Sequence, residues 1–161
     1  MIGSQAILGT AEPGNEILAR SMEADLAVVA PSKEEAERFA DLISGSIGDG
    51  SPFEAAFGYY ADGVEIGTAI LPRGWEQRLI PIVFDAGGTE RAAKCLSAPD
   101  LAVSKLMAGR EKDFEFVGAM LDEHLVEQEA VQELLAGFAG APEARRAEAW
   151  LLNRPNAGRR P

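Results

Sequence analysis

The chain has 161 residues, of which 47% are hydrophobic, and a formal net charge of −11 at pH 7. This length suits one domain with a substantial core, and the acidic charge argues against binding nucleic acid through a broad basic surface. A single cysteine excludes an intrachain disulfide and, with a single histidine, argues against a structural zinc site. No stretch approaches the roughly 20 apolar residues that cross a bilayer, so we expect a cytoplasmic protein that makes no membrane contact.

The first residues predict a short helical turn. The apolar pattern begins at Met1 without a preceding strand or cap, which is typical of a chain shortened at its start. Gly3 and Ser4 open a helix-like run to Leu8, and the breaker-rich residues 9–15 end it. Free backbone N–H groups and a small hydroxyl at such a turn suit a phosphate, but an ordinary turn with a serine cap uses the same residues.

A strand over residues 24–29 follows, and two carboxylates accompany it. Glu23 and Asp25 are two residues apart, so on a strand they share one face, about 7 Å apart at a rise of roughly 3.3 Å per residue. Adjacent carboxylates repel each other unless a cation lies between them, and hard oxygen ligands suit Mg²⁺. We expect the apolar side chains of this strand to enter the core: Leu26, Val28 and Val29.

Ser21 precedes this acidic pair by two residues. If the strand extends back that far, the Ser21 hydroxyl lies on the face of the carboxylates and can contact a phosphate or a metal-bound water. The alternative is a serine that bonds to its local backbone at the start of the strand.

The remaining pattern predicts one helix, several strands and then more helices. Ser32 is an N-cap for a helix that the glycines at 45–50 end. Residues 57–84 have the composition of strands separated by turns, and Asp62-Gly63 is a hairpin signal. Apolar residues spaced by three and four predict helices over 99–108, 112–125, 129–138 and 142–152.

A lysine and an aspartate in the helical part are candidate functional residues. Lys105 falls on the apolar stripe of its helix, so it either extends to solvent or is held inside for a phosphate or carboxylate partner. Asp113 follows the break at Gly109, where a carboxylate also serves as an ordinary helix cap. In the functional interpretation Lys105 and Asp113 converge on the acidic strand. Lys105 then neutralises a triphosphate, and Asp113 fixes Lys105 or acts as a base.

Together these elements predict an α+β (α/β) domain with a small mixed sheet of about four strands, flanking helices and a helical C-terminal portion. We assign residues 1–97 to the α/β core, 98–153 to a helical portion of the same domain, and 154–161 to a loose tail.

The motifs and their order resemble the nucleotidyltransferase superfamily with the polymerase-β-type fold, in particular its small DUF6036-like and AbiEii-like bacterial members. The superfamily has a glycine-serine helix start and an acidic-x-acidic strand, and the AbiEii-like branch adds serine, lysine, arginine and aspartate motifs. The matching residues are Gly3-Ser4, Ser21-Met-Glu23, Glu23-Ala-Asp25, Lys105-Leu-Met-Ala108, Arg110 and Lys112-Asp113.

The resemblance implies Mg²⁺-dependent transfer of a nucleotidyl group from a nucleoside triphosphate (NTP) to an acceptor. In toxin–antitoxin relatives the acceptor is tRNA or a protein side chain, and an antitoxin is a further partner. Metal binding would fall to Glu23 and Asp25, and catalysis to this pair with Lys105 and Asp113. Nucleotide binding would fall to Gly3, Ser4, Ser21 and Lys105.

Two departures from the family pattern bear on activity. Superfamily members usually supply a third carboxylate from a neighbouring strand, and here only Asp85 and Glu65 are candidates, unless the site uses two carboxylates. The first acid is Glu23 rather than the more usual aspartate. The alternative function is therefore an inactive nucleotidyltransferase-like scaffold that binds a partner through an uncovered apolar face of the C-terminal helices, formed by Leu121, Leu125, Leu134, Leu135, Trp150 and Leu151.

Overall fold

The computed structural model describes residues 1–11 and 14–154. A 3₁₀ helix, Ser4–Gly9, precedes the other elements, and shorter 3₁₀ segments lie at Ile66–Thr68, Trp75–Arg78 and Ala136–Phe138. The helices and strands are α1 (Glu16–Ala19), β1 (Glu23–Ala27), α2 (Lys33–Ile47), α3 (Pro52–Phe57), β2 (Tyr60–Val64), β3 (Ile80–Asp85), β4 (Glu90–Cys95), α4 (Ala98–Ala108), α5 (Glu111–Asp122), α6 (Gln128–Leu135) and α7 (Pro142–Asn153).

The α+β class is confirmed, but the strands form two pairs rather than one sheet. β1 and β2 are parallel, whereas β3 and β4 are antiparallel. The first two residues of the chain bridge the pairs: Ile2 N donates to Asp25 O (3.0 Å), and Leu96 N donates to Met1 O (3.2 Å). This bridge holds β1, which carries the acidic pair, beside the start of α4.

The hairpin predicted at Asp62-Gly63 is wrong, because both residues lie inside β2. Glycine is needed there for helix packing: a Cβ on Gly63 would overlap the backbone of Ala40 in α2. Ser44 Oγ of the same helix accepts a hydrogen bond from Gly63 N at 2.9 Å. The actual hairpin joins β3 to β4 through Gly87-Gly88, both with positive φ, as a two-residue type I′ turn requires.

Strand β1 is shorter and less buried than predicted. It ends at Ala27, and every residue in it is only half-buried. The expectation that Val29 enters the core is wrong, because this side chain is 89% exposed. A two-stranded parallel pair has too little surface to cover both faces of its strands, so β1 lies at the margin of the core rather than inside it.

The core is centred on α4, whose side chains Leu101, Val103 and Leu106 are fully buried. The four predicted C-terminal helices are confirmed as α4 to α7, with ends that shift by at most three residues. The apolar face proposed for partner binding is covered: Leu121, Leu135 and Leu151 are buried, and Leu125, Leu134 and Trp150 pack against the core.

Both ends of α4 are fixed by specific contacts. At its start Asp100 is fully buried and pairs with Arg78 Nη2 at 2.6 Å, and the N-cap hydroxyl also donates to it. At its end Gly109, with φ of 66°, accommodates the left-handed turn into α5. Lys105 in the last turn of α4 therefore faces Asp113 in the first turn of α5.

Of the predicted loose tail, only Arg154 lies within the described residues. Its Nη2 donates to Gly118 O at 2.7 Å and pairs with Asp122 at 2.6 Å, so Arg154 is tied to α5. Residues 155–161 are outside the described part of the chain. Across the described residues, the helices are too short or too polar to traverse a bilayer.

Candidate functional site

A cleft of about 340 Å³ lies between β1, the N-terminal 3₁₀ helix, the segment after β2, and the junction of α4 with α5. Six of the seven site residues predicted from sequence line this cleft: Gly3, Ser4, Ser21, Glu23, Asp25 and Lys105. The seventh, Asp113, lies behind Lys105 and contacts it. The structure thus brings the predicted residues together, while their roles stay predictions.

The acidic pair lies along one wall of the cleft. Glu23 and Asp25 both line it, as period-two alternation on β1 requires. Gly3 allows this arrangement, because a Cβ at this position would overlap the carboxylate of Asp25. Burial, followed by the charges of Asp25 and Asp62, raises the pKa of Glu23. Burial and Asp62 also raise the pKa of Asp25, although the charge of Lys105 opposes them.

Asp62 is the third carboxylate near this pair, and the sequence interpretation missed it. It pairs with Asp25 in the β1–β2 register, but it is not among the residues that line the cleft. The sequence does show an acidic residue within a segment of strand-like composition, but Asp62-Gly63 was assigned to a turn. The two candidates named from sequence, Asp85 and Glu65, also lie outside the lining, and Glu65 is 3.9 Å from Lys33.

Lys105 is held inside rather than extended to solvent. Its side chain is 13% exposed, and its Nζ donates to Ser4 Oγ at 2.8 Å and lies 3.5 Å from Asp113 Oδ1. The Nζ also lies 5.5 Å from the centre of the Phe116 ring. Burial is the main cause that lowers the pKa of Lys105, and Arg110 adds to it, whereas Asp113 opposes both.

Asp113 connects Lys105 to Arg110. Its side chain is 1% exposed, and Arg110 Nε donates to its Oδ2 at 2.6 Å. Arg110 N donates to the same oxygen at 3.3 Å, so Asp113 is both a helix cap and an ion-pair partner. Burial raises the pKa of Asp113, but the Arg110 hydrogen bonds and the charge of Lys105 outweigh burial and hold this pKa below its ordinary value.

Two cations at the rim were not assigned to the site from sequence. Arg110 and Lys112 also line the cleft, together with Thr68 and Ser104. Their charges oppose the rise in the pKa of Asp25 that burial causes, so both act at this carboxylate. Both residues belong to the Arg110 and Lys112-Asp113 motifs of the family resemblance, but neither cation was given a role there.

Ser21 shows the bonding pattern of a local structural serine. Its hydroxyl donates to Glu23 O at 3.1 Å, and Gln5 Nε2 donates to its carbonyl oxygen. These bonds fix the start of β1 against the N-terminal 3₁₀ helix. Ser21 nevertheless lines the cleft, beside Ser4.

The raised pKa values of the acidic pair predict how stability depends on pH. In the folded state Glu23 and Asp25 bind protons more tightly than in the unfolded chain, so wild-type stability should fall as the pH rises from about 4 through the folded-state pKa values. The Glu23→Gln/Asp25→Asn variant lacks this loss. We expect its stability advantage over wild type to grow across that window in urea unfolding and to stay constant above it. Parallel pH profiles for the two proteins would refute this electrostatic account.

A multi-acid metal cage is not present in the part of the chain that the structure describes. Within residues 1–11 and 14–154, no group of three or more His, Cys, Asp or Glu side chains is arranged to hold a metal ion.

Comparison with known proteins gives one family. A family model described as a nucleotidyltransferase of unknown function (DUF6036) matches residues 17–154, which is well over half of the chain. No match is found among curated proteins or among solved structures. The matched range includes the acidic pair of β1 and the Lys105–Asp113 pair, and the chain therefore belongs to the DUF6036 family of nucleotidyltransferases of unknown function.

Proposed function

We propose that this protein is a Mg²⁺-dependent enzyme that transfers a nucleotidyl group from an NTP to an acceptor. The observation that carries the proposal is the cleft itself, where the acidic pair faces a buried lysine. Nucleotidyl transfer requires little covalent chemistry from a protein, because positioning and charge neutralisation supply most of the rate enhancement. Acidic and basic side chains in one cleft can provide both the positioning and the charge neutralisation.

The donor set fits Mg²⁺. Glu23 and Asp25 offer hard oxygen ligands side by side, and Mg²⁺ in phosphate-transferring enzymes is typically held by one or two carboxylates together with substrate phosphates. Burial raises the pKa of each carboxyl despite the nearby cations, so a bound cation would favour the charged form of both groups. When bound, Mg²⁺ would neutralise phosphate charge and polarise the phosphorus under attack.

Lys105 is the residue we assign to the triphosphate. Ser4 Oγ and Asp113 hold its ammonium group in one place, so a phosphate oxygen meets a charge that needs no reorientation. Asp113 was predicted either to fix Lys105 or to act as a base, and its contact with Lys105 supports the first role. A carboxylate bonded to Arg110 and Lys105, with a pKa held low, is a poor proton acceptor.

The Gly3-Ser4 turn is proposed to lie against the triphosphate. Gly3 brings the backbone close to Asp25, and the Ser4 hydroxyl already accepts a hydrogen bond from Lys105. Ser21 is placed beside them, where its hydroxyl can donate either to the backbone, as here, or to a bound phosphate. The acceptor, tRNA or protein, and an antitoxin partner are proposals that depend on the family resemblance alone.

Gly3→Ala tests whether turnover needs the close approach of Gly3 to the Asp25 carboxylate. Its methyl group would overlap the Asp25 carboxylate, so we expect this carboxylate to rotate away and NTP turnover with Mg²⁺ to fall at least about tenfold. The matched control is Gly45→Ala in α2, where a Cβ has open space, and it should leave turnover unchanged. Equal turnover in both variants and wild type would show that Gly3 has no role at the site.

Thermal unfolding with ligands tests the proposed function. A ligand that binds only the folded state must stabilise it, by about 2.7 kcal/mol at a hundred times its Kd. We expect at least one of the four NTPs at millimolar concentration to raise Tm, and to do so only with Mg²⁺ present. If none of the four changes Tm, the catalytic proposal fails and the inactive scaffold becomes the better account.

A further inference from the structure

A second cleft, of about 240 Å³, lies behind Lys105. Four residues line both clefts: Ser4, Ser21, Lys105 and Lys112. The two clefts therefore share a wall, and Lys105 is its charged centre. A group bound in the second cleft would be a neighbour of a group bound beside the acidic pair.

The second cleft is basic, in contrast to the chain as a whole. Arg20, Lys105 and Lys112 line it, although the sequence has 26 acidic and only 15 basic residues. Of its two carboxylates, Asp113 is engaged by Lys105 and Arg110. The other, Glu115, lies 3.9 Å from Arg20 Nη1 at the exposed rim, a distance at which the pair is weak.

Two of these cations are available to a ligand. The side chain of Arg20 is 68% exposed, and among the residues described Lys112 has no carboxylate within 4.0 Å. Ile17 and Phe116 also line the cleft and supply its apolar part. Cations together with apolar side chains suit a phosphate attached to a nucleoside better than an isolated inorganic anion.

We propose that the second cleft binds the acceptor of the transfer reaction, and that this acceptor is a nucleotide. Its phosphate contacts Arg20 and Lys112, and its hydroxyl points across the shared wall towards the first cleft. This inference rests on the proposed function. The acceptor hydroxyl oxygen forms a bond to the α-phosphorus of the NTP, and the bond from that phosphorus to the β-phosphate oxygen breaks. Pyrophosphate leaves with the electron pair, and the hydroxyl proton passes to water.

Calorimetric titration provides the test. AMP, adenosine and a short single-stranded RNA with a 5′ phosphate and a free 3′ hydroxyl are titrated into wild-type protein and into Arg20→Ala and Lys112→Ala. Titrations are run with and without a nonhydrolysable ATP analogue and Mg²⁺. Arg91→Ala on β4 is the matched control, because it removes one exposed positive charge outside both clefts.

The expected result is binding that requires the phosphate and weakens about tenfold in each cleft variant, but not in Arg91→Ala. Tighter binding of the RNA than of AMP would identify a nucleic acid end as the acceptor, and equal binding a free nucleotide. The inference is overturned if neither AMP nor the RNA binds, if adenosine binds as tightly as AMP, or if both cleft variants bind like wild type.

The increase in Tm with NTP and Mg²⁺ tests the proposed function separately. Arg20 lines only the second cleft, so Arg20→Ala should retain the full Tm increase with NTP and Mg²⁺. Loss of that increase in Arg20→Ala would also overturn the acceptor assignment, because Arg20 would then belong to the NTP site. Absence of the increase in wild type refutes the proposed function, whereas the AMP and RNA titrations still report on the second cleft.

Discussion

Replacing Asp25 by asparagine should lower Mg²⁺-dependent NTP turnover at least about a hundredfold without unfolding the protein. Asp25 is the more buried member of the acidic pair, and its carboxylate lies against Gly3 and within the field of Lys105. The amide keeps the shape of the side chain but loses the charge that holds a cation. Because it also removes repulsion with Glu23, we expect Tm to stay the same or rise slightly.

The control for this prediction is Asp62→Asn. This substitution removes a negative charge from the residue that pairs with Asp25 on the adjacent strand. Asp62 itself does not line the cleft. If Asp25 acts through direct coordination, Asp62→Asn should reduce turnover by much less than Asp25→Asn. Similar losses in both variants would show that only the general field of the acids matters. Unchanged turnover in Asp25→Asn would remove the enzymatic account altogether.

The second large effect concerns the buried Lys105–Asp113 pair. Asp113→Ala should destabilise the fold by about 3 kcal/mol, because Lys105 is left buried beside Arg110 without the carboxylate that it contacts. Lys105→Met should cost less, since Arg110 still neutralises Asp113. Lys105→Met should nevertheless abolish turnover, because the fixed cation is lost. Urea unfolding at pH 7 and turnover assays measure the two effects.

The pH dependence of this pair has a defined sign. The folded-state pKa of Asp113 is held below its unfolded value, so its contribution is fully present above the unfolded pKa, near pH 4. That contribution is lost as the pH falls through the folded pKa. In Asp113→Ala this loss should disappear, and its stability difference from wild type should shrink in acid.

The exposed Arg20–Glu115 pair is the matched control for the buried pair. Its partners are 68% and 50% exposed and 3.9 Å apart, so Glu115→Ala should change stability by less than about 1 kcal/mol. A cost for Asp113→Ala no larger than that of Glu115→Ala would contradict the view that Lys105 is held by a buried partner.

Local signals in the sequence predicted much of the helical part. Ser32 does cap α2, where its hydroxyl accepts from Glu35 N at 3.2 Å. Gly109 ends α4, as its position after a run of helical spacing indicates. Caps and glycine stops act within a few residues of the chain, so they can be identified without knowing what packs around them.

Strand assignments failed where distant contacts decide the structure. Gly63 is a glycine because α2 crosses β2 at that point, and no neighbour in sequence reports this approach. Strand β4, Glu90–Cys95, was missed because its exposed residues are mostly charged or alanine, which are weak strand formers. Its pairing is set instead by the Gly87-Gly88 turn and by β3.

The sequence predicted the positions of some site residues better than those of others. Period-two alternation was enough to put Glu23 and Asp25 in one cleft. The helical period predicted that Lys105 is partly buried, but its approach to β1 was only one of two interpretations, because it depends on how α4 packs in the fold. Asp62 and Lys112 could not be placed, because their positions depend on the parallel register of β2 and on the angle between α4 and α5.

A crystal structure with Mn²⁺ in place of Mg²⁺ and a nonhydrolysable NTP tests the central claim most directly, because the anomalous signal locates the ion independently. The account predicts an ion between the carboxylates of Glu23 and Asp25, with a phosphate oxygen within hydrogen-bond distance of Lys105 Nζ. An ion bound elsewhere, or a nucleotide whose phosphates lie away from Lys105 and the acidic pair, would contradict it.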